Sequence, residues 1–152
     1  MIDLKARALD VLAGVQDPEV PVNIVEMGLV KSVAVGDDGH LEVELAPCYA
    51  ACPGRTYMLE RARSLLHELD PEATVSWSAE PYWRSTLLTP AARHTLREFG
   101  VGVKEPGAAD LECPFCGSHQ TRPEKEFGST VSLSLFYCDA CRNPFEALRG
   151  SW

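Results

Sequence analysis

Leu4, Ala8, Leu9, Leu12 and Val15 recur at the three- and four-residue spacing that gathers apolar side chains on one side of a helix, with Asp3 ahead of them as a cap. The pattern predicts a helix over residues 4–14, ended by Gly14. It breaks at Asp17-Pro18-Glu19-Val20-Pro21-Val22, where two prolines exclude both a helix interior and a central strand, so an ordered loop or a sheet edge is expected. The period then changes. Leu29 to Val35 is rich in valine, Asp37-Asp38-Gly39 has turn chemistry, and Leu41-Glu42-Val43-Glu44-Leu45 alternates apolar and acidic residues, which together predict a hairpin. After a loop from Cys48 to Pro53, Met58, Leu59, Ala62, Leu65, Leu66 and Leu69 share one helical face that ends before Pro71. Ala73 to Ser78, with Val75 and Trp77 alternating against polar neighbours, reads as a third strand.

Helix, hairpin, helix and strand in that order imply an α+β domain with helices on one face of a small sheet. Thr89 as cap, Pro90 at the first helical position and Gly100 beyond Phe99 mark another helix. Val101 to Leu111, with two glycines and a proline, reads as a linker. The last stretch has few large apolar groups and four paired cysteines. The expected division is therefore an α+β domain over 1–100, a linker over 101–111 and a metal-stapled module over 112–152. There is no internal repeat.

Composition narrows the class. With 152 residues, 45% hydrophobic and 24% charged, the chain can bury a core without disulfides. Its opening residues are charged where a signal peptide needs an apolar core, and no apolar run reaches the roughly 18 residues of a membrane span, so a cytoplasmic protein without membrane contact is expected. The net charge of -8 opposes binding to phosphate backbones. Neither part is basic: 16 acids face 10 bases up to Glu105, and 6 face 4 after it.

Six cysteines in a reducing compartment point to metal ligands or reactive thiols. Cys113-Pro-Phe-Cys116, 21 intervening residues and Cys138-Asp-Ala-Cys141 form the spacing that lets two tight turns present four thiolates to one ion. Gly117 suits the first turn, and a strand such as Val131 to Tyr137 would complete a zinc ribbon with Zn2+ as structural ion. Four thiolates also accept iron, so a rubredoxin-like electron-transfer site is the rival. In the ribbon Arg122, Lys125, Arg142 and Arg149 alternate with Glu124, Glu126, Asp139 and Glu146, which favours docking or subunit assembly over nucleic-acid binding.

The other two cysteines are Cys48 and Cys52, with Pro53 expected as the first residue of the second helix. A thiol at a helix N-terminus has its pKa lowered by the dipole and free amides, making Cys52 a candidate for transient metal or cluster binding or for redox exchange; the alternative is a small buried apolar residue. Asp17 and Glu19 are candidate hard ligands or proton carriers, and Asp17 equally a candidate for an Asx turn before Pro18. His40, His67, His94 and His119 are scattered. No Ser-His-Asp order, phosphate loop or dinucleotide fingerprint is present, so independent catalysis is not expected.

The run Asp17-Pro-Glu-Val-Pro-Val-Asn-Ile-Val-Glu-Met-Gly-Leu-Val30 resembles the opening of the small α+β domain of SufT-like and eukaryotic cytosolic iron-sulfur assembly factors, and Ala46-Pro-Cys-Tyr-Ala-Ala-Cys-Pro53 is similar to their cysteine loop. Pro81-Tyr-Trp83, Leu88-Thr-Pro-Ala-Ala-Arg93, Leu96-Arg-Glu-Phe-Gly100, Glu126-Phe-Gly-Ser-Thr130, the four ribbon cysteines and Asn143-Pro-Phe145 extend the resemblance over nearly the whole chain to the PaaD family, the D subunits of the phenylacetyl-CoA epoxidase system. The resemblance implies an accessory maturation factor of aerobic phenylacetate degradation that delivers or repairs iron or an iron-sulfur cluster for the oxygenase or reductase subunits. A structural or electron-transfer subunit is the alternative, and a homodimer is compatible with both. By position, Cys52, Asp17 and Glu19 match the family's cysteine and Asp-Pro-Glu loop. The chain departs from the family pattern at Cys48, where threonine is expected and a second thiol is instead offered to share a metal or form a redox pair with Cys52, at Ser132, where another cysteine is expected, at Glu26 in place of Asp and at Leu87 in place of Trp.

Overall fold

The computed structural model describes residues 3–49, 52–103 and 110–148. The first helix, α1, spans Leu4–Leu12; Asp3 accepts a hydrogen bond from the Lys5 amide, and Ala8 and Leu12 face the core. It stops short of the expected residue 14 because the Gly14 and Val15 amides turn back to the carbonyls of Val11 and Leu12, tightening the end into three-residue turns. The proline loop is ordered as expected. Its backbone bonds join Asp17 to Val22 and Ile24 to Val15, burying Val15, Val20, Val22 and Ile24.

The hairpin consists of β1 (Val30–Val35) and β2 (Leu41–Leu45), paired antiparallel. Alternation along β2 sends Leu41, Val43 and Leu45 inward and leaves Glu42 and Glu44 outside. β3 (Thr74–Trp77) joins the far side of β2 in parallel, so the sheet order is β1-β2-β3. Parallel pairing needs a crossover, supplied by α2 (Arg55–Leu69), which packs on α1 and β3. Asp70 ends α2 and ties it to the hairpin by accepting the Leu41 amide at 2.8 Å and meeting His40 Nδ1 at 3.0 Å.

α3 (Pro90–Phe99) has the expected boundaries: Thr89 accepts from the Ala92 amide, and Gly100 takes a left-handed φ of 89° as the C-cap. Before it, the Trp83 indole N–H donates to the Met27 carbonyl at 2.6 Å, and the Thr89 amide bonds the Glu26 carbonyl at 3.0 Å. Leu87 lies against the backbone of Gly28, where a Cβ would come within 2.6 Å of it. The substituted positions Glu26 and Leu87 thus belong to one packed junction.

The second sheet has the order β4-β7-β6-β5, comprising β4 (Val101–Gly102), β5 (Thr121–Lys125), β6 (Leu133–Cys138) and β7 (Asn143–Leu148). β4 corrects the linker expected over residues 101–111 at its start, because Val101 and Gly102 form a strand parallel to β7. Its backbone covers part of the edge of β7, which would otherwise present unpaired groups. Leu133 and Leu148 belong to the same buried cluster as the residues of α1, α2 and the first sheet. A smaller cluster of Leu111, Cys113, Cys138, Phe145 and Ala147 lies beneath the paired cysteines.

Candidate metal and thiol sites

Cys113 and Cys116 lie on one tight turn, Cys138 and Cys141 on another. In both, the residue after the second cysteine adopts a left-handed conformation, Gly117 at φ 77° and Arg142 at φ 61°, and its amide returns to the carbonyl of the first cysteine at 2.9 and 2.8 Å. The two knuckles are therefore built alike, although only one has a glycine. Cys113 and Cys141 Sγ are 3.8 Å apart, Cys116 and Cys138 Sγ 3.6 Å, and all four sulfurs lie within 4.8 Å of one another. A tetrahedral ion with metal–sulfur bonds of about 2.3 Å requires sulfur–sulfur edges of about 3.8 Å, so the four thiols fit one ion. The Cys141 amide, with the Cys116 thiol and the Ala140 amide, lowers the pKa of Cys138 to about 7, while Cys116, against the lowering effect of the Ser118 amide, is raised to about 11 by burial and the neighbouring thiols, so the group does not carry four thiolates until an ion displaces their protons. His119 is not a ligand here and pairs with Asp110 at 2.9 Å. Arg122 bonds Glu124 and Asp139 and lies 4.7 Å over the Tyr137 ring, so this ribbon cation is engaged within the fold. Arg149 lies outside the described residues.

The second site lies where the proline loop meets the start of α2. Pro53 and Gly54 form a turn and the helix begins at Arg55, two residues later than the sequence suggested, because the Arg55 amide closes a turn on the Cys52 carbonyl. Gly54 permits this approach: a Cβ there would overlap the Pro18 ring. Cys48 and Cys52 are both buried in the main core cluster. The neighbouring Cys52 thiol raises the pKa of Cys48 well above the usual thiol value, with burial adding to the rise. Cys52 is lowered to about 7 by the Cys48 thiol, by Ser132 and by the Gly54 amide, against the opposing effect of burial. The two influences favour the thiolate on Cys52 over Cys48.

Asp17 Oδ1 accepts the Glu19 amide at 2.8 Å and the Val20 amide at 3.3 Å, so the Asx turn anticipated as one reading is present. Burial raises its pKa. Glu19 reaches the other way: its Oε2 accepts from Thr130 Oγ1 at 3.0 Å, while its buried Oε1 has no partner among the described residues. Asp17 and Glu19 raise the pKa of Cys48 through their charge, and Glu19 opposes the lowering of Cys52. The fold thus brings these four residues together, but only the ribbon cysteines converge as a ligand group of three or more among the described residues.

The ribbon also contributes to this second site. The loop between β5 and β6 is held by the Ser129 amide and hydroxyl on Glu146 and by the Gly128 amide on the Leu133 carbonyl. It carries Thr130 onto Glu19 and the buried Ser132 hydroxyl toward Cys52. Neither role follows from local sequence pattern; Ser132 is singled out only as a departure from the family resemblance. Beside Cys52, Arg55 lies 5.5 Å over the Trp77 ring. No helix among the described residues is long and apolar enough to cross a membrane.

Comparison with known proteins gives two family matches: residues 5–77 match the iron-sulfur cluster assembly proteins, and residues 101–149 match the PaaD zinc beta ribbon domain. A protein of Escherichia coli (strain K12) named for the D subunit of 1,2-phenylacetyl-CoA epoxidase is 31% identical over 144 residues, covering 89% of this chain and 86% of its own length. An Fe-S protein maturation auxiliary factor of Porphyromonas gingivalis (strain ATCC BAA-308 / W83) is 29% identical over 83 residues, 53% of this chain and 79% of its own length. Among solved structures, a domain of unknown function, DUF59, from Bacillus anthracis has the same fold over 61% of this chain and 91% of its own, with a TM-score of 0.56 and 23% identity.

Proposed function

Because the chain belongs to the family of the D subunits of 1,2-phenylacetyl-CoA epoxidase, we propose that it is an accessory maturation factor of that oxygenase system, handing iron or an iron-sulfur cluster to an oxygenase or reductase subunit in phenylacetate degradation. The observation that carries this reading is the Cys52 thiolate, held at the start of α2 by Cys48 and Ser132 beside a carboxylate oxygen of Glu19 that has no partner among the described residues. A thiolate is a soft donor and a carboxylate a hard one, so the two suit iron as cargo. One strong donor beside weaker ones suits transfer, because a cargo held by a full set of sulfurs would not leave. Cys48, its pKa raised, keeps its proton, and Asp17 shapes the loop that carries Glu19.

The ribbon cysteines Cys113, Cys116, Cys138 and Cys141 have a different task, closing on a structural ion, with zinc as the proposed occupant. The test is metal analysis with an absorption spectrum on anaerobically purified protein, before and after Cys52→Ala, together with an assay of epoxidase activity in cells carrying each form. Maturation predicts about one zinc per chain, retained in the variant, and loss of epoxidase support. A fully active Cys52→Ala protein would end the proposal. Four thiolates accept iron as readily as zinc, which keeps a second reading, an electron-transfer component of the complex. Iron that survives Cys52→Ala would favour it.

A further inference from the structure

Cys48 and Cys52 are two buried cysteines of one core cluster, four residues apart around a backbone bond that the Cys52 amide makes to the Tyr49 carbonyl at 2.9 Å. They do not face solvent by the same route. Cys52 lines a depression of about 480 Å3 with Arg55, Glu60, Arg63 and Trp77, whereas Cys48 lines a separate one of about 400 Å3 with Ser78, Glu80 and Tyr82; Arg55 borders both. A small disulfide that reaches Cys52 from its own opening meets two guanidinium groups and one carboxylate there, while Cys48 lines the other depression. That is the arrangement a displacement needs, with the incoming and leaving sulfurs on different sides of the central one.

We propose that Cys48 and Cys52 form a dithiol–disulfide couple that exchanges with a low-molecular-weight disulfide bearing carboxylates, of the glutathione-disulfide type. In the first step Cys52 Sγ, as thiolate, attacks one sulfur of the small disulfide. A mixed disulfide forms, the original sulfur–sulfur bond breaks, and one small thiolate leaves and takes a proton from water. In the second step Cys48 gives up its proton to solvent and attacks Cys52 Sγ. The internal disulfide forms, the mixed one breaks, and the second small thiol leaves. Two protein thiols are oxidised by two electrons and one disulfide is reduced to two thiols. In the oxidised state neither sulfur can serve as a thiolate donor. The exchange needs only these two sulfurs and does not depend on the cargo proposed above.

The experiment uses the full chain with its ribbon ion in place, equilibrated with mixtures of reduced and oxidised glutathione, quenched in acid, alkylated and mapped by peptide mass. The wild type is expected to convert to a form in which Cys48 and Cys52 both resist alkylation and carry no adduct, and to return on adding dithiothreitol. Cys48→Ala, which leaves a small apolar side chain in the core, is expected to stop at a glutathione adduct on Cys52. Cys48→Ser repeats the test with a side chain of the same shape and no sulfur. An adduct that persists on Cys52 of the wild type as it does in either variant would overturn the proposal, as would a pair that stays fully alkylatable while oxidised glutathione is in excess.

Discussion

Ser132 Oγ is buried with no hydrogen-bond partner among the described residues, and it lies near enough to Cys52 to lower the pKa of that thiol. A hydroxyl that stabilises an anion lowers its pKa, and removing it raises that pKa. Ser132→Ala is therefore expected to shift the midpoint of Cys52 alkylation against pH upward by a fraction of a unit. Cys48→Ala, which removes the largest of the lowering influences, should shift it further in the same direction; iodoacetamide rates at Cys52 between pH 6 and 9 give both values. Equal rates at all pH values in the two variants and the wild type would show that neither group supports the thiolate. A second residue tests the ribbon. Arg142 occupies the left-handed conformation that Gly117 occupies in the matching knuckle, which costs a residue with a Cβ about 1–2 kcal/mol, partly offset by glycine's greater unfolded freedom. Arg142→Gly should raise the stability of the ion-loaded protein by up to about 1 kcal/mol, read from the denaturant midpoint of the ribbon. Of these residues, the four ribbon cysteines were legible through their spacing, while the pattern made Cys52 a candidate only through its place ahead of Pro53, and the helix starts later, at Arg55. Ser132 and Thr130 were not legible, because they act on partners on the far side of the fold, Thr130 on a carboxylate 111 residues away.

The elements divide by how local their determinants are. α3 was readable to the residue because its cap, its first-position proline and its closing glycine are adjacent to it in sequence. β4 was not, since two residues in a glycine-containing stretch become a strand only when β7 offers them an edge. The parallel pairing of β3 with β2 was likewise not specified by its alternation, which suits either direction, but by the passage of α2 across the sheet. The end of α2 makes a pH prediction. Asp70 is held below the usual carboxylate range by the Leu41 amide, then by His40 and the Glu72 amide, while Asp70 holds His40 above its usual value. A lowered carboxylate stabilises the fold above its unfolded pKa and loses that contribution as pH falls through the folded value. A raised histidine contributes below its unfolded pKa and loses it as pH rises through the folded value. The junction is therefore strongest between those limits. The Tm deficit of Asp70→Asn should shrink as the solution becomes acidic enough to protonate the wild-type carboxyl, and the deficit of His40→Ala should shrink as pH rises through the raised histidine pKa, to what the neutral imidazole still contributes. A His40→Ala deficit that is unchanged from pH 5 to pH 9 would assign the contact no ionic part.

Across the whole molecule, the ribbon is a knuckle beside the first domain and also part of its core and of its thiol site. Leu133 and Leu148 are buried among residues of the first domain, and the loop before β6 delivers Thr130 to Glu19 and Ser132 to Cys52. A structural ion contributes on the order of 10 kcal/mol to a small module, far more than the small ribbon cluster around Phe145 can replace. Removing the ion should therefore unfold β5, β6 and β7. The first domain keeps α1, α2 and its own sheet, whose fold stands alone in the DUF59 structure, but loses two leucine contacts worth about 1.5–3 kcal/mol each. It should stay folded with a lower denaturant midpoint. The consequence for the thiol site follows from the same contacts: once the β5–β6 loop is released, Cys52 loses the Ser132 hydroxyl that lowers its pKa. Treating the protein with a strong chelator should move the pH midpoint of Cys52 alkylation upward, measured by peptide mass so that the freed ribbon thiols are counted separately, while the far-UV signal of the helices persists. If the ribbon thiols become reactive and the Cys52 midpoint does not move, the ribbon is an appendage whose folding leaves the site untouched; if the helices are lost with the ribbon, the two parts fold as one unit.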